Sequence, residues 1–459
     1  MNEWAEEESG IRRISSNGNQ ITCSFTCLVE VVMKRFLLLL VGAFGLFTAR
    51  SQSLNFTKNG PPVLGPTSGA WDSGWTEFVS VIREDTQYVM WYSGATNSNG
   101  VNLGAGRATS SDGIQWQKDV HNPVIVHGPS GAWDAGSAWI PKVMRQGSGY
   151  TMWYTGTADP NAPWQIGRAV SNGGVTWTRD TSGAELTLGS SGQWDAALVH
   201  TSSVLYDGST YRMWYTGMNL GYVSGGTSAI GVATSTDGIH WVKATFVNPV
   251  LTAGPPGAWD AHGVGECCVV HNPLDSLYHM FYDGNEIDFF TSGTSGIGHA
   301  TSRDGTHWTK DAANPVLLNG APGAWDNHVC APFVILDDHK YKMWYSAEEH
   351  VGYAWAPDPA TAVTEHGMNG IPNSFSLDQN YPNPFNPTTT IRYGLPHAAD
   401  VTLRVYNTLG QEVAQLVNEQ QQAGYHENAF RGDGLASGVY FYRIQAGSFV
   451  QSRKLVLLR

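Results

Sequence analysis

The chain has 459 residues, 41% of them hydrophobic and 14% charged, enough for two or more packed domains and too apolar for a disordered protein. Its formal net charge of −13, with no clustered Lys and Arg, argues against a nucleic-acid partner.

Residues 1–51 read as processing sequence: an upstream extension followed by a secretory signal whose expected true start is Met33. "MKRFLLLLVGAFGLFTARSQS" has a basic pair, an apolar run too short for a comfortable membrane span, and the small residues Ala49 and Ser51 before an expected cut at Gln52. The mature chain is therefore expected to be secreted, with no transmembrane span. It keeps Cys267, Cys268 and Cys330, an odd count that allows at most one bridge plus a free thiol.

From residue 54 a repeat dominates. Trp-Asp recurs at Trp71, Trp133, Trp194, Trp259 and Trp325, 61 to 66 residues apart. Each unit continues with an apolar stretch and a Met-Trp-Tyr triplet, which is Met-Phe-Tyr at Met280. An Ile-Gly-x-Ala-type segment follows. Four units then close on a turn such as "SSDGIQW" or "STDGIHW". Short aromatic and β-branched runs between Gly, Asp and Asn turns are strand signals, and Asp-Gly is a strong hairpin signal. Repeating four-stranded units of this length predict an all-β fold, a five-bladed β-propeller over 54–357, in which each blade buries both faces.

The fifth unit ends at "VGYAWAPDP" without its fourth strand. "LNFTKNGPPVLGPTSGAWD" from Leu54 aligns with "IQWQKDVHNPVIVHGPSGAWD" from Ile114, with Phe56 against Trp116 and Lys58 against Lys118. The N-terminal strand is thus expected to complete the last blade and leave no sheet edge open.

Residues recurring in every unit are expected to be structural: the repeat tryptophans between blades, and Asp72, Asp134, Asp195, Asp260 and Asp326 on turn amides. One site on a fivefold scaffold must come from positions where the units differ. Counting back from Met-Trp-Tyr puts Glu77, Trp139, His200, Glu266 and Cys330 in one register of the inner strands, around the central channel, with His262 and His328 nearby. Glu77, Glu266 and His200 are the candidate catalytic groups. One carboxyl group would protonate a leaving oxygen while the other acts as base or nucleophile. Of the tryptophans, Trp75, Trp139, Trp164 and Trp355 have no place in the repeat. Trp75, Trp139 and Trp164, with His262 and His328, are the candidate substrate contacts.

No zinc-protease, phosphate-loop, dinucleotide or Gly-x-Ser-x-Gly motif is present, and no cofactor is expected. A divalent ion in the channel, held by His262, His328, Glu77 and Glu266, stays open, as does a disulfide between Cys330 and the Cys267–Cys268 pair.

After a linker at 358–374, residues 375–459 alternate strands with tight turns and read as a small β-sandwich. "NYPNPFNP", "VYNTLGQEV" and "GVYFYRI" resemble the type A C-terminal sorting domain of type IX secretion substrates. The resemblance implies a chain handled by that secretion machinery, exported across the outer membrane, and released or attached to the surface.

The pattern "MWYTG" followed by Ile-Gly-x-Ala and an Asp-Gly turn resembles the five-bladed propeller glycosidases of glycoside hydrolase families 43, 32, 68 and 130. In that superfamily the working carboxylates project from inner strands around the funnel, which implies hydrolysis or phosphorolysis of a glycan. Here Glu77 is followed by Phe78 where an Asp-Pro is usual, and Trp139 and His200 stand where acids would be expected. A non-catalytic surface propeller that binds carbohydrate or another partner through the same funnel remains the alternative.

Overall fold

The computed structural model describes residues 54–97, 103–159, 162–220, 226–285, 295–360, 372, 374–380 and 383–458. The expected signal segment lies outside them.

Five antiparallel sheets follow one another along the chain. The first blade runs Trp75–Arg83, Tyr88–Ala95, Gly104–Ser110, Gln117–Lys118 from the inside out. The second, third and fourth begin with Ser137–Gln146, Leu198–Tyr206 and Gly263–Asn272 and repeat the order. The fifth runs Cys330–Asp337, Lys340–Ala347, His350–Pro357, and its outermost strand is Thr57–Lys58 from the other end of the chain. Thr57 pairs with Trp355 and Lys58 with Ala354, which is the closure the cross-terminal alignment predicted. Each inner strand packs on that of the next blade, and the fifth on the first, so the ring is a five-bladed propeller.

Strand burial explains the aromatic triplets. Every residue of Tyr88–Ala95 is buried, because a blade is covered on both faces by its neighbours. Trp91 donates its indole N–H to Gly174 O in the next blade at 2.8 Å, and Trp153, Trp214 and Trp344 do the same to Gly238, Gly305 and Gly113. The fourth blade has Phe281 instead, and it meets the fifth, whose outer strand brings Phe56, ring centroids 5.6 Å apart and perpendicular.

The repeat aspartates are structural by a different contact from the turn amides expected. Asp72 accepts Tyr92 Oη–H at 3.0 Å and pairs with Lys118 Nζ at 2.5 Å. Arg179–Asp134, Lys243–Asp195, Lys310–Asp260 and Lys58–Asp326 are its counterparts. The turn aspartates do bind amides: Asp112 Oδ1 accepts the N–H of Ile114 and Gln115, each at 2.8 Å. The Trp-Asp tryptophans lie on their own blades, not between blades. A Cβ at Gly106 would stand 2.8 Å from the Trp71 ring, so that strand needs glycine.

Residues 376–457 form a β-sandwich of a three-stranded and a four-stranded sheet. Here burial alternates, as in Ala399–Tyr406, because each sheet covers only one face of the other. Ile391, Tyr393, Leu403, Val405, Tyr442 and Leu455 fill its core.

Candidate active site

The inner strands share one irregularity, and it organises the channel. Each has a bulge near its start: between Glu77 and Ser80, Trp139 and Lys142, Thr201 and Ser203, Gly265 and Cys268, and Cys330 and Phe333. Phe78, Ile140, Glu266 and Ala331 sit there with φ of 50°, 48°, 39° and 46°, the left-handed region that a bulge tolerates. The bulge amides of Phe78, Ile140, Thr201 and Glu266 donate to Ser346, Ser93, Thr155 and Thr216, each on the second strand of the preceding blade.

This geometry corrects the register read from the sequence. Glu77, Trp139, His200 and Cys330 pair with Ser93, Thr155, Thr216 and Ser346, as expected, but the fourth member is Gly265, paired with Asp283. Glu266 is one residue further on, at the bulge. All five inner strands carry the bulge; what differs is the fourth hairpin, in which Val269 pairs with Met280 eleven positions on, where Val81 and Met90, Val143 and Met152, Val204 and Met213, and Val334 and Met343 are nine apart.

The shift brings together groups the sequence kept apart. Ligand atoms of Glu266, Asp283 and Cys330 lie within 4.8 Å of one another. Asp283 occupies the position held by Ser93, Thr155, Thr216 and Ser346 in the other blades, so the rule that a site lies where the units differ would have found it. It is 2% exposed, and neither of its oxygens makes a hydrogen bond of full geometry. Burial pushes its carboxyl up to about 7, against the lowering influence of the Ala331 and Gly265 amides. Burial raises Glu266 well above the carboxylate range, Asp283 adds repulsion, and Lys142 opposes it.

Glu77 is pushed up to about 7 by burial, opposed by the Glu349 amide and reinforced by the charges of Glu348 and Glu349. That amide donates to Glu77 Oε1 at 3.3 Å. The two glutamates form the tight turn into His350–Pro357, with φ of 41° and 69°, and sequence reasoning gave them no role. His200 is fully buried, with Nε2 3.8 Å from Glu266 Oε1, and burial lowers its pKa to about 3, so the ring is neutral.

The aromatic candidates form a connected series. Trp75 and Trp139 have ring centroids 6.1 Å apart, Phe78 and Trp139 5.2 Å, and Trp139 and Trp164 5.1 Å. Trp164 reaches His200 at 6.2 Å, which joins the aromatic wall to the polar cluster. Trp139 Nε1–H is buried without a hydrogen-bond partner.

Further along the channel, the residues after each bulge, Ser80, Lys142, Ser203, Cys268 and Phe333, line a cavity of about 310 Å³. Lys142 Nζ donates to Val79 O at 3.2 Å, and burial holds its pKa down. Cys268 Sγ accepts Val334 N–H at 3.2 Å. Cys267, Cys268 and Cys330 are all free thiols, so the disulfide left open by the sequence is not formed.

His262 and His328 are not members of the Glu266, Asp283 and Cys330 grouping. Both follow Trp-Asp by two residues, where the first two blades have Gly74 and Gly136. His262 donates its backbone N–H to Asn285 O, and His328 lies within the field of Glu348. Among the described residues, the metal-competent grouping is Glu266, Asp283 and Cys330, not the set of His262, His328, Glu77 and Glu266 considered from sequence.

Known proteins resemble the two parts of the chain separately. Residues 379–458 match the secretion system C-terminal sorting domain family. An uncharacterized protein of Mycobacterium tuberculosis strain CDC 1551 is 28% identical over 233 residues, 49% of this chain and 72% of that one. A glycosyl hydrolase from Bacteroides ovatus is 19% identical with a TM-score of 0.52, over 66% of this chain and 93% of that one. A putative glycoside hydrolase from Parabacteroides distasonis gives 18% and 0.52, over 66% and 97%. A structure from work on mannoside phosphorylases and glycoside hydrolases of family 130 gives 18% and 0.52, over 67% and 97%. At these identities the likeness is one of fold. The chain therefore joins a propeller with the fold of the glycoside hydrolases to a C-terminal sorting domain of type IX secretion substrates, which directs export to the cell surface or beyond.

Proposed function

We propose that the propeller hydrolyses a glycan outside the cell. The observation that carries this reading is the convergence, at one end of the channel, of Glu77, Glu266 and Asp283 beside the tryptophan series. Sugar rings stack on indole faces, and glycosidic bonds are broken by paired carboxyl groups.

Glu77 suits the general acid, since a carboxyl group with a pKa of about 7 still holds its proton near neutrality. Its proton passes to the glycosidic oxygen as the bond to the anomeric carbon breaks. Glu266 and Asp283 are too close for both to ionise, so they share a proton, and the ionised member takes the proton of the attacking water. Trp139, Trp75 and Trp164 would hold the sugar.

A glycan-binding propeller without turnover is the second reading. It is favoured by Trp139 and His200, which occupy the inner-strand register beside Glu77 where further acids would be expected. Screening the purified protein against arabinan, xylan, fructan and mannan oligosaccharides tests both. Turnover that Glu77→Gln and Asp283→Asn each reduce by orders of magnitude supports hydrolysis. Binding without turnover on the whole panel leaves the binding reading, and neither binding nor turnover defeats both.

A further inference from the structure

The fourth and fifth blades place an unusual trio against one another. Cys330 heads its inner strand, Glu266 sits at the bulge of the adjacent inner strand, and Asp283 lies on the second strand of Glu266's blade. Asp283 is 2% exposed, and although the Ala331 and Gly265 amides approach it, neither oxygen makes a hydrogen bond of full geometry. In four blades a hydroxyl at this position accepts the next blade's bulge amide; here a carboxylate stands there.

We infer that Cys330 Sγ and the carboxylates of Glu266 and Asp283 form a site for one borderline divalent cation, of which Zn²⁺ is the type. Thiolate with carboxylate is a donor set that takes zinc or cobalt and is foreign to calcium and magnesium, which prefer oxygen alone. Bonds of about 2.0–2.3 Å around zinc put its ligands within about 4 Å of each other, so atoms already within 4.8 Å need only a small contraction.

Space and charge agree with this assignment. Gly265, beside the trio, takes the place that carries a side chain in the other four blades, and a Cβ there would stand 3.3 Å from Asp283 Oδ1. Three anionic ligands around a 2+ ion leave one negative charge, and the field of Lys142 at Glu266 favours the ionised carboxylate that a ligand must be. His200, neutral and 3.8 Å from Glu266, is placed to orient that carboxylate or to take the fourth position, otherwise filled by water.

The inference goes beyond the glycan reading. Loaded, Glu266 and Asp283 are ligands and cannot carry protons, so zinc should inhibit any turnover, and a failed screen for turnover leaves the site untouched. The test uses the full mature chain stripped with a chelator under reducing conditions. Calorimetry with Zn²⁺ alone should show one equivalent bound, and Co²⁺ should produce a thiolate-to-metal charge-transfer band. Cys330→Ser should abolish the band, and Asp283→Asn should weaken zinc binding by at least 100-fold, more than the 10–100-fold typical of an outer-shell partner. Circular dichroism checks that each variant folds; should one not, the other variant and the cobalt band of the unaltered protein decide. The inference is overturned if the folded protein binds no zinc, if cobalt gives no thiolate band, if a folded variant binds as the parent does, or if Ca²⁺ binds as tightly as Zn²⁺.

Discussion

Lys58 Nζ lies 2.6 Å from Asp326 Oδ2, joining the first described strand to the last blade across 268 positions of sequence. The pair repeats the contact that every other blade makes within itself, and so it completes a ring that the chain enters and leaves at the same blade.

Replacing Lys58 by Met should therefore destabilise the whole propeller. Asp326 is 10% exposed at its side chain and would be left without its cation; partial solvent access to Lys58 limits the cost to about 1–3 kcal/mol. Thermal melting should show one transition at lower temperature. An unchanged melting point would mean that the closure rests on backbone pairing alone.

Trp91→Phe removes the indole N–H that reaches Gly174 O, while Trp177 still donates to the same oxygen at 3.2 Å. The carbonyl stays satisfied, so the loss is one hydrogen bond and some volume, about 1–3 kcal/mol in a denaturant midpoint. Phe281→Trp tests the converse. It should also destabilise, because the fourth-to-fifth junction is built around the Phe56–Phe281 contact.

Glu77 gives a pH dependence of definite sign. Its folded pKa of about 7 lies above the ordinary 4.5, so the folded state holds this proton more tightly than the unfolded chain does. Its contribution to stability is full below about pH 4.5 and is lost as pH rises to about 7. Glu77→Gln, neutral throughout, should match the parent in melting temperature near pH 4.5 and exceed it at pH 8. Equal melting temperatures at both pH values would show that Glu77 is not held protonated.

Trp164 lies at the end of the aromatic series, 5.1 Å from Trp139. Trp164→Ala should weaken binding of a glycan found in the screen by about 2- to 13-fold, the equivalent of a stacking contribution of about 0.5–1.5 kcal/mol. Calorimetry measures it. Unaltered affinity would put the sugar elsewhere on the funnel.

Repetition made most of the fold legible. Five Trp-Asp units, the Met-Trp-Tyr triplets and the alignment of Leu54 with Ile114 report local strand and turn chemistry, which each blade solves in the same way. The number of blades, the closure and the exported tail could therefore be read from the letters. The ring of Glu77, Trp139, His200 and Cys330 was also legible, because sites on a repeating scaffold appear where repetition fails. What only the tertiary structure decided was the fourth member of that ring and its consequences. The fourth hairpin is longer than the others, eleven positions from Val269 to its partner Met280 against nine from Val81 to Met90, so Gly265 takes the place in the register expected of Glu266. Asp283 and the Glu348–Glu349 turn acquired their roles by meeting, across blade boundaries, side chains far away in sequence. Strand pattern belongs to neighbours along the chain, whereas burial, shared protons and ligand geometry belong to neighbours in space.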